Sequence, residues 1–335
     1  MLHPKMRGGS EIAAQSFDDS LSENEVSFVI CVEANRLAPQ ALLLCESLRT
    51  FGGRYRNAPI LAISPRPHLA IGRTVRSRLE SLDVTYVAEP LNETASAYGS
   101  INRIVAGAWA EKFSPSPFLV LLDTDMVVVG EPVFARADAG VRPVDLKGSA
   151  SSGEGDPLDA YWARICSFGG IDLARLPRLA TTIDGVSIRA SYNGGLCVVR
   201  RDLGILERTR EVFFASRATH LRPWAGAALD ILASTGFVGR AASEWWGSSQ
   251  AALSVAIWSK TSDVILYDER YNIPLHLLVD PDRSWPLKEG SAPILLHYHY
   301  LAEGRYREQF RQVLQRIGCT SEIRAWIEER LILFD

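Results

Sequence analysis

Two carboxylates and two imidazoles carry the most chemistry per residue in this chain. In FLVLLDTDMVVVG, Asp123 and Asp125 follow directly on a fully apolar run. Residues two apart in extended backbone point to one side, so both carboxylates are expected to address one space beyond a strand end. Holding them together away from water is costly through like-charge repulsion unless a cation or hydrogen-bond donors compensate. A divalent metal is the natural compensator, and oxygen ligation suits Mg²⁺ or Mn²⁺, which also take substrate phosphates. The plain alternative is a turn in which the aspartates cap a helix or face water. In APILLHYHY, His297 and His299 repeat the two-residue spacing at the end of another apolar run. On one side of a strand they complete a mixed carboxylate and imidazole site that favours Mn²⁺ over Mg²⁺; otherwise they are a partly buried, hydrogen-bonded pair. In SYNGGLCVVRRD, Asn193 offers donor and acceptor to a hydroxyl-rich ligand, and Gly194 and Gly195 let backbone approach it closely. Asn-Gly is equally at home in a type I′ hairpin turn between two strands.

The elements that must position these residues alternate. Apolar β-rich runs at 26–34, 58–64, 84–89 and 118–122 are separated by helical periodicity from Pro39 to Phe51, over 69–82 and over 98–112. Three strand-helix units followed by a fourth strand predict an α/β fold with a Rossmann-like, mostly parallel sheet and helices on both faces. Ligands in such sheets bind at the carboxyl ends of strands, which is where the aspartates fall and where Val32-Glu33-Ala34-Asn35 follows the first strand. From 140 to 190 the pattern loosens into an expected variable loop-and-helix excursion. Helices at 203–217 and 249–259, a strand through APILLHYHY and an amphipathic C-terminal helix close the chain. Residues 1–24 lack periodicity and are expected to be a disordered tail, leaving 25–335 as a single domain.

The ordered set Asn102-Arg103, Asp123-Thr124-Asp125, Tyr192-Asn193-Gly194-Gly195, Gln250, Tyr271-Asn272 and His297 resembles the GT-A glycosyltransferases, and most closely the glycosyltransferase family 8 type, over about residues 25–305. The resemblance implies a GT-A fold and metal-dependent transfer of a sugar from a nucleotide-diphosphate sugar, a UDP-sugar above all, to a hydroxyl of a glycan, lipid-linked sugar, small molecule or protein. It implies Asp123 and Asp125 as metal-binding aspartates, with Asp123 also near the donor's ribose or sugar. His297 is similar to the family's late metal-ligand histidine; alternatively His299 and Arg305 match that histidine and its phosphate-binding lysine. Asn102-Arg103 resembles an Asn-Lys pair at the donor, with Glu33, Ala34, Asn193 and Gly194 completing the donor site. Gln250 looks like the glutamine beneath the anomeric carbon of retaining enzymes. Ser249 stands where the family has Asp, which makes Glu244 a second candidate acid, and the Lys-Pro-Trp after the late histidine is missing.

Composition narrows the alternatives. The 335 residues carry 36 Lys and Arg against 39 Asp and Glu, a formal charge of -3, without the basic field that nucleic acid requires. No apolar run is long enough to span a membrane and the N-terminus lacks a signal-like stretch, so the chain is expected to be cytoplasmic. Five cysteines, odd in number and without a C-x-x-C pair, read as buried thiols. A dehalogenase-type phosphatase needs Thr where Val127 stands, and a sugar-nucleotide nucleotidyltransferase needs a glycine-rich loop absent from CVEANRLAPQ. A catalytically silent sugar-binding protein of the same fold is the alternative from another class. Among Trp162, Trp224, Trp245, Trp246 and Trp285, the pair before Gln250 is the favoured platform for a sugar ring.

Overall fold

The computed structural model describes residues 6–7, 20–227 and 229–335. Its centre is a sheet in the order β1 (Met6–Arg7), β13 (Val264–Leu266), β7 (Ala139–Pro143), β10 (Tyr192–Arg200), β5 (Phe118–Leu122), β2 (Val26–Cys31), β3 (Ile60–Ser64), β4 (Val84–Ala88). All neighbours run parallel except β10, which is antiparallel to both β5 and β7. The expected mixed α/β fold with a large, mostly parallel sheet is therefore present.

The continuous apolar strands are explained by burial on both faces. Leu119 and Leu121 of β5 enter one core with α3 (Ser100–Phe113), while Phe118, Val120 and Leu122 enter the opposite core with α1 (Leu37–Phe51). Helix α1 buries Ala38, Ala41, Leu42, Cys45 and Leu48 at helical spacing, and the chain leaves it through Gly53 at φ +56°. A smaller sheet, β14 (Ile273–Pro274), β15 (Leu295–His297) and β6 (Met126–Val128), packs beside the large one. Val128 N–H donates to Ser47 Oγ of α1 at 2.9 Å, tying the two together.

Several expectations are corrected. SYNGGLCVVRRD is no hairpin: Tyr192–Arg200 is one strand, with Asn193, Gly194 and Gly195 inside it, while Ser187–Arg189 (β9) pairs instead with Arg178–Ala180 (β8). Asn193, Gly194 and Gly195 fall in an irregularity of the pairing with β7, between Tyr192 and Cys197, and before the pairing with β5 begins at Leu196; the Gly195 carbonyl accepts from Asp123 N–H at 3.1 Å and its N–H donates to Asn193 Oδ1. The loose region 140–190 begins inside β7, a buried strand of the large sheet, before opening into a helix, Asp159–Phe168. The strand through APILLHYHY spans only Leu295–His297, because the backbone at His299 turns left-handed, φ +52°. The C-terminal helix is two, Arg307–Arg316 and Ser321–Arg330.

The expected tail lies mostly outside the described residues, but Met6–Arg7 forms β1 of the large sheet and the last part of the tail is folded too. Leu21 is fully buried, its N–H donates to the Phe134 carbonyl at 2.8 Å, and its carbonyl accepts from Tyr55 Oη at 2.6 Å. Leu21→Ala is expected to cost about 2–4 kcal/mol in urea unfolding; a change near zero would show that the segment contributes nothing to the core.

Candidate active site

A cleft of about 640 Å³ opens where the carboxyl ends of β2, β3 and β5, the start of antiparallel β10 and the small sheet converge. Its polar wall follows a simple rule. Glu33, Arg66, Asp145, His276 and His299 each stand two residues past a strand, after β2, β3, β7, β14 and β15, and all five line the cleft. At that distance the chain has left the ladder but is still held by it, which aims a side chain over the strand end.

The two aspartates part company. Between β5 and β6 the chain turns, so Asp123 and Asp125 do not share one side as an extended strand would have it. Asp123 is gripped by Arg103 Nη1, 2.7 Å and 2.8 Å from its two oxygens. Asp125 faces the histidines, with Oδ1 3.2 Å from His297 Nε2 and Oδ2 3.4 Å from His299 Nδ1. Strand register explains this: β15 pairs antiparallel with β6, His297 opposite Met126, and Tyr298 N–H donates to the Asp125 carbonyl at 3.0 Å. The left-handed turn at His299 folds its ring back on His297, centroids 4.0 Å apart and planes 13° from parallel. One ligand atom from each of Asp125, His297 and His299 lies within 4.8 Å of the others.

Electrostatics tighten the cluster. Burial alone would raise the Asp125 pKa, but the charge of His297 outweighs it and holds the carboxyl well below the usual range. Burial likewise works against a charged His297, yet Asp125 lifts its pKa above the ordinary value. His299 is driven well below it by burial and by the neighbouring imidazoles, and His276, whose ring lies 3.7 Å from that of His299, is lowered to about 3 by burial and His297. His297 Nδ1 lies 3.0 Å from Asn272 Oδ1, so an N–H there donates to the amide and turns Nε2 toward Asp125. That Nε2 is buried without a hydrogen bond among the described residues.

The remaining candidates divide. Glu33 is fixed by Arg66, 2.8 Å and 2.5 Å, and by Asn102 Nδ2 at 3.1 Å. Asn193 donates to Asp145 Oδ2 at 2.7 Å and accepts from Gly195 N–H at 2.9 Å; desolvation pushes the Asp145 pKa up despite its hydrogen bonds. Gln250, in the first turn of the helix Ser248–Lys260, lines the cleft, and its amide has no hydrogen-bond partner among the described residues. Ala34 falls outside the lining, its N–H given to the Leu69 carbonyl. Glu244 also falls outside: it closes the short helix Arg240–Ser243 and is engaged by Arg222 and the Gly226 N–H. Arg305 is turned to solvent, 4.6 Å over the Tyr306 ring and near Glu303, away from the cleft. Of the five tryptophans only Trp246 lines the cleft, since Trp162 and Trp245 are core and Trp224 and Trp285 spend their N–H on backbone carbonyls. Arg66, Asp145 and His276 escape motif reading; the strand-end rule finds Arg66 after APILAIS, but β7 and β14 carry no strand signal of their own.

Residues 28–259, well over half of the chain, match the Rhodobacterales glycosyltransferase domain. The chain belongs to this glycosyltransferase family. No curated protein matches the sequence. The matched part of the transferase holds Glu33, Arg103, both aspartates, Asn193 and Gln250, while the three histidines follow it. No helix of the transferase among the described residues is long and apolar enough to cross a membrane.

The two glycines of β10 make different demands. A Cβ on Gly195 would stand 2.6 Å from Asn272 Oδ1 and 2.9 Å from the His297 ring, both held in the interior, whereas one on Gly194 would meet the Arg103 guanidinium at 2.2 Å, the end of a long side chain. Gly195→Ala is expected to cost about 1–3 kcal/mol in urea unfolding and Gly194→Ala less than about 1 kcal/mol. The reverse order would contradict the packing described.

Proposed function

We propose that the transferase has a GT-A fold and moves a sugar from a nucleotide-diphosphate sugar to a hydroxyl acceptor with the help of a divalent metal held by Asp125, His297 and His299. The observation that carries this reading is that cluster, built into the same cleft as Arg103, Asp123 and Gln250. The family 8 likeness points to UDP as the nucleotide and to the cleft ends of β2 and β3, around Glu33 and Arg66, as its place.

The donor set fits a metal. One carboxylate and two imidazoles supply three ligands, Asn272 orients His297, and the buried Nε2 otherwise has no hydrogen-bond partner. Mixed nitrogen and oxygen ligation favours Mn²⁺ over Mg²⁺. When bound, the ion would neutralise charge developing on the departing diphosphate. Arg103 adds a positive charge beside that position, and its pairing with Asp123 keeps it in place. As the bond from the anomeric carbon to the diphosphate oxygen breaks, the electron pair leaves with the nucleotide and the acceptor oxygen takes over the carbon.

The acceptor's proton needs a destination. Every carboxylate of the cleft is engaged: Glu33 by Arg66, Asp123 by Arg103, Asp125 by the histidines, Asp145 by Asn193 and Thr182. With Glu244 turned away, no carboxylate among the described residues of the cleft is free to act as the general base that inversion requires. This favours transfer of the proton to the departing phosphate oxygen and retention of configuration, with the unpartnered Gln250 amide serving the sugar's hydroxyls.

UDP or a UDP-sugar with Mn²⁺ is expected to raise the melting temperature where either alone does little; no shift with any nucleotide would sink the donor reading. In calorimetric titration, Asp125→Ala and His299→Ala are expected to weaken Mn²⁺ binding about 100-fold or more, and Asp123→Asn to leave it within about threefold while abolishing turnover. Equal losses for Asp123 and His299 variants would return Asp123 to the metal.

A further inference from the structure

One half of the cleft has a different chemistry from the half that faces the strand ends. The described residues include five large apolar side chains that are exposed, and three of them, Leu146, Phe237 and Trp246, line this one cleft. Phe237 is 79% exposed, an unusual place for a phenyl ring unless something covers it. It sits on a two-stranded hairpin, β11 (Leu232–Ala233) and β12 (Gly236–Phe237), where Ser234 and Thr235 make the turn and Gly236 opens β12 at φ +111°. The hairpin is anchored from below by Gln40 Nε2 on the Ser234 carbonyl at 3.5 Å. Trp246 is fixed at its backbone by the Trp224 indole N–H at 3.0 Å, two residues before the helix that carries Gln250. Leu146 comes from the segment after β7, next to Asp145.

The charges of the cleft do not compete for this rim. Its three Arg and Lys side chains, Arg66, Arg103 and Lys147, are paired with Glu33, Asp123 and Asp156 respectively. An anionic acceptor therefore meets no unpaired cation there, and a purely polar one would leave the three apolar side chains wet. We propose that the acceptor is a neutral amphipathic molecule, an alcohol or glycoside carrying an alkyl or aryl group, whose apolar part lies on Leu146, Phe237 and Trp246 while its hydroxyl points toward Gln250. The inference rests on the reading of this cleft as the transfer site and names the class of molecule that enters it from the apolar side.

Octyl β-glucoside, below its micelle-forming concentration, and methyl β-glucoside serve as probes that share a sugar and differ in the apolar group. Titrated into the full chain with UDP and Mn²⁺ in a calorimeter, the octyl compound is expected to bind about tenfold tighter or more, the effect of covering one such side chain. Phe237→Ser and Leu146→Ser, both at exposed positions, are expected to bring the two glucosides within about twofold of each other. Equal affinities in the native protein, or an octyl preference that survives both variants, overturns the proposal. UDP and Mn²⁺ stabilisation is measured on the same samples. Its loss beside an intact octyl preference defeats the donor reading alone, and its persistence with equal affinities defeats this one alone.

Discussion

Asp125 is only 5% exposed, and a carboxylate so far from water keeps its charge only where positive charge or a cation stands against it. Two imidazoles meet it, and they come from a part of the chain about 170 residues away. Three strands of a small sheet exist to make that meeting: β6 runs on from Asp125, β15 ends at His297, and β14 ends beside His276. The C-terminal helices pack on the other side of this small sheet, around Val127, Leu296, Tyr298 and Phe310. Much of the last quarter of the chain thus serves to hold two rings against one carboxylate.

The second constraint is the Arg103 and Asp123 pair, which separates two aspartates that spacing alone would put to one task. Close packing makes room for it. Gly194 lies under the guanidinium and Gly195 under the Asn272 and His297 side chains, so a Cβ at either position intrudes on the site. The glycines do their work by lacking a side chain in the middle of a strand, where they weaken the strand itself and where a turn was the simpler expectation.

The cleft is divided by where its walls come from. The strand-end wall is polar, and its side chains are ordered by one another: Asn92 donates to Asn102, Asn102 to Glu33, and Arg66 closes on Glu33. The other wall comes from the segments around 144–150 and 232–247, where apolar side chains are exposed and backbone hydrogen bonds fix their positions. A fixed polar end and an apolar end in one cavity suit a reaction that must recognise a constant donor and a separate acceptor.

The amino-acid sequence by itself determined the strands that are buried on both faces and the helices between them, because apolar runs such as FLVLL and the periodicity of α1 and α3 are local patterns that burial writes directly into composition. It also determined that Asp123 and Asp125 follow the end of β5, and both line the cleft. Only the tertiary structure decided which aspartate faces which partner, that Glu244 and Arg305 point elsewhere, and that Arg66, Asp145 and His276 join the cleft. Those outcomes depend on a turn between β5 and β6, on a left-handed residue at His299 and on β6, β14 and β15, strands only two or three residues long. Such short strands bury too little to leave a periodic signal, so their pairing is fixed by contacts across the fold and not by their own residues.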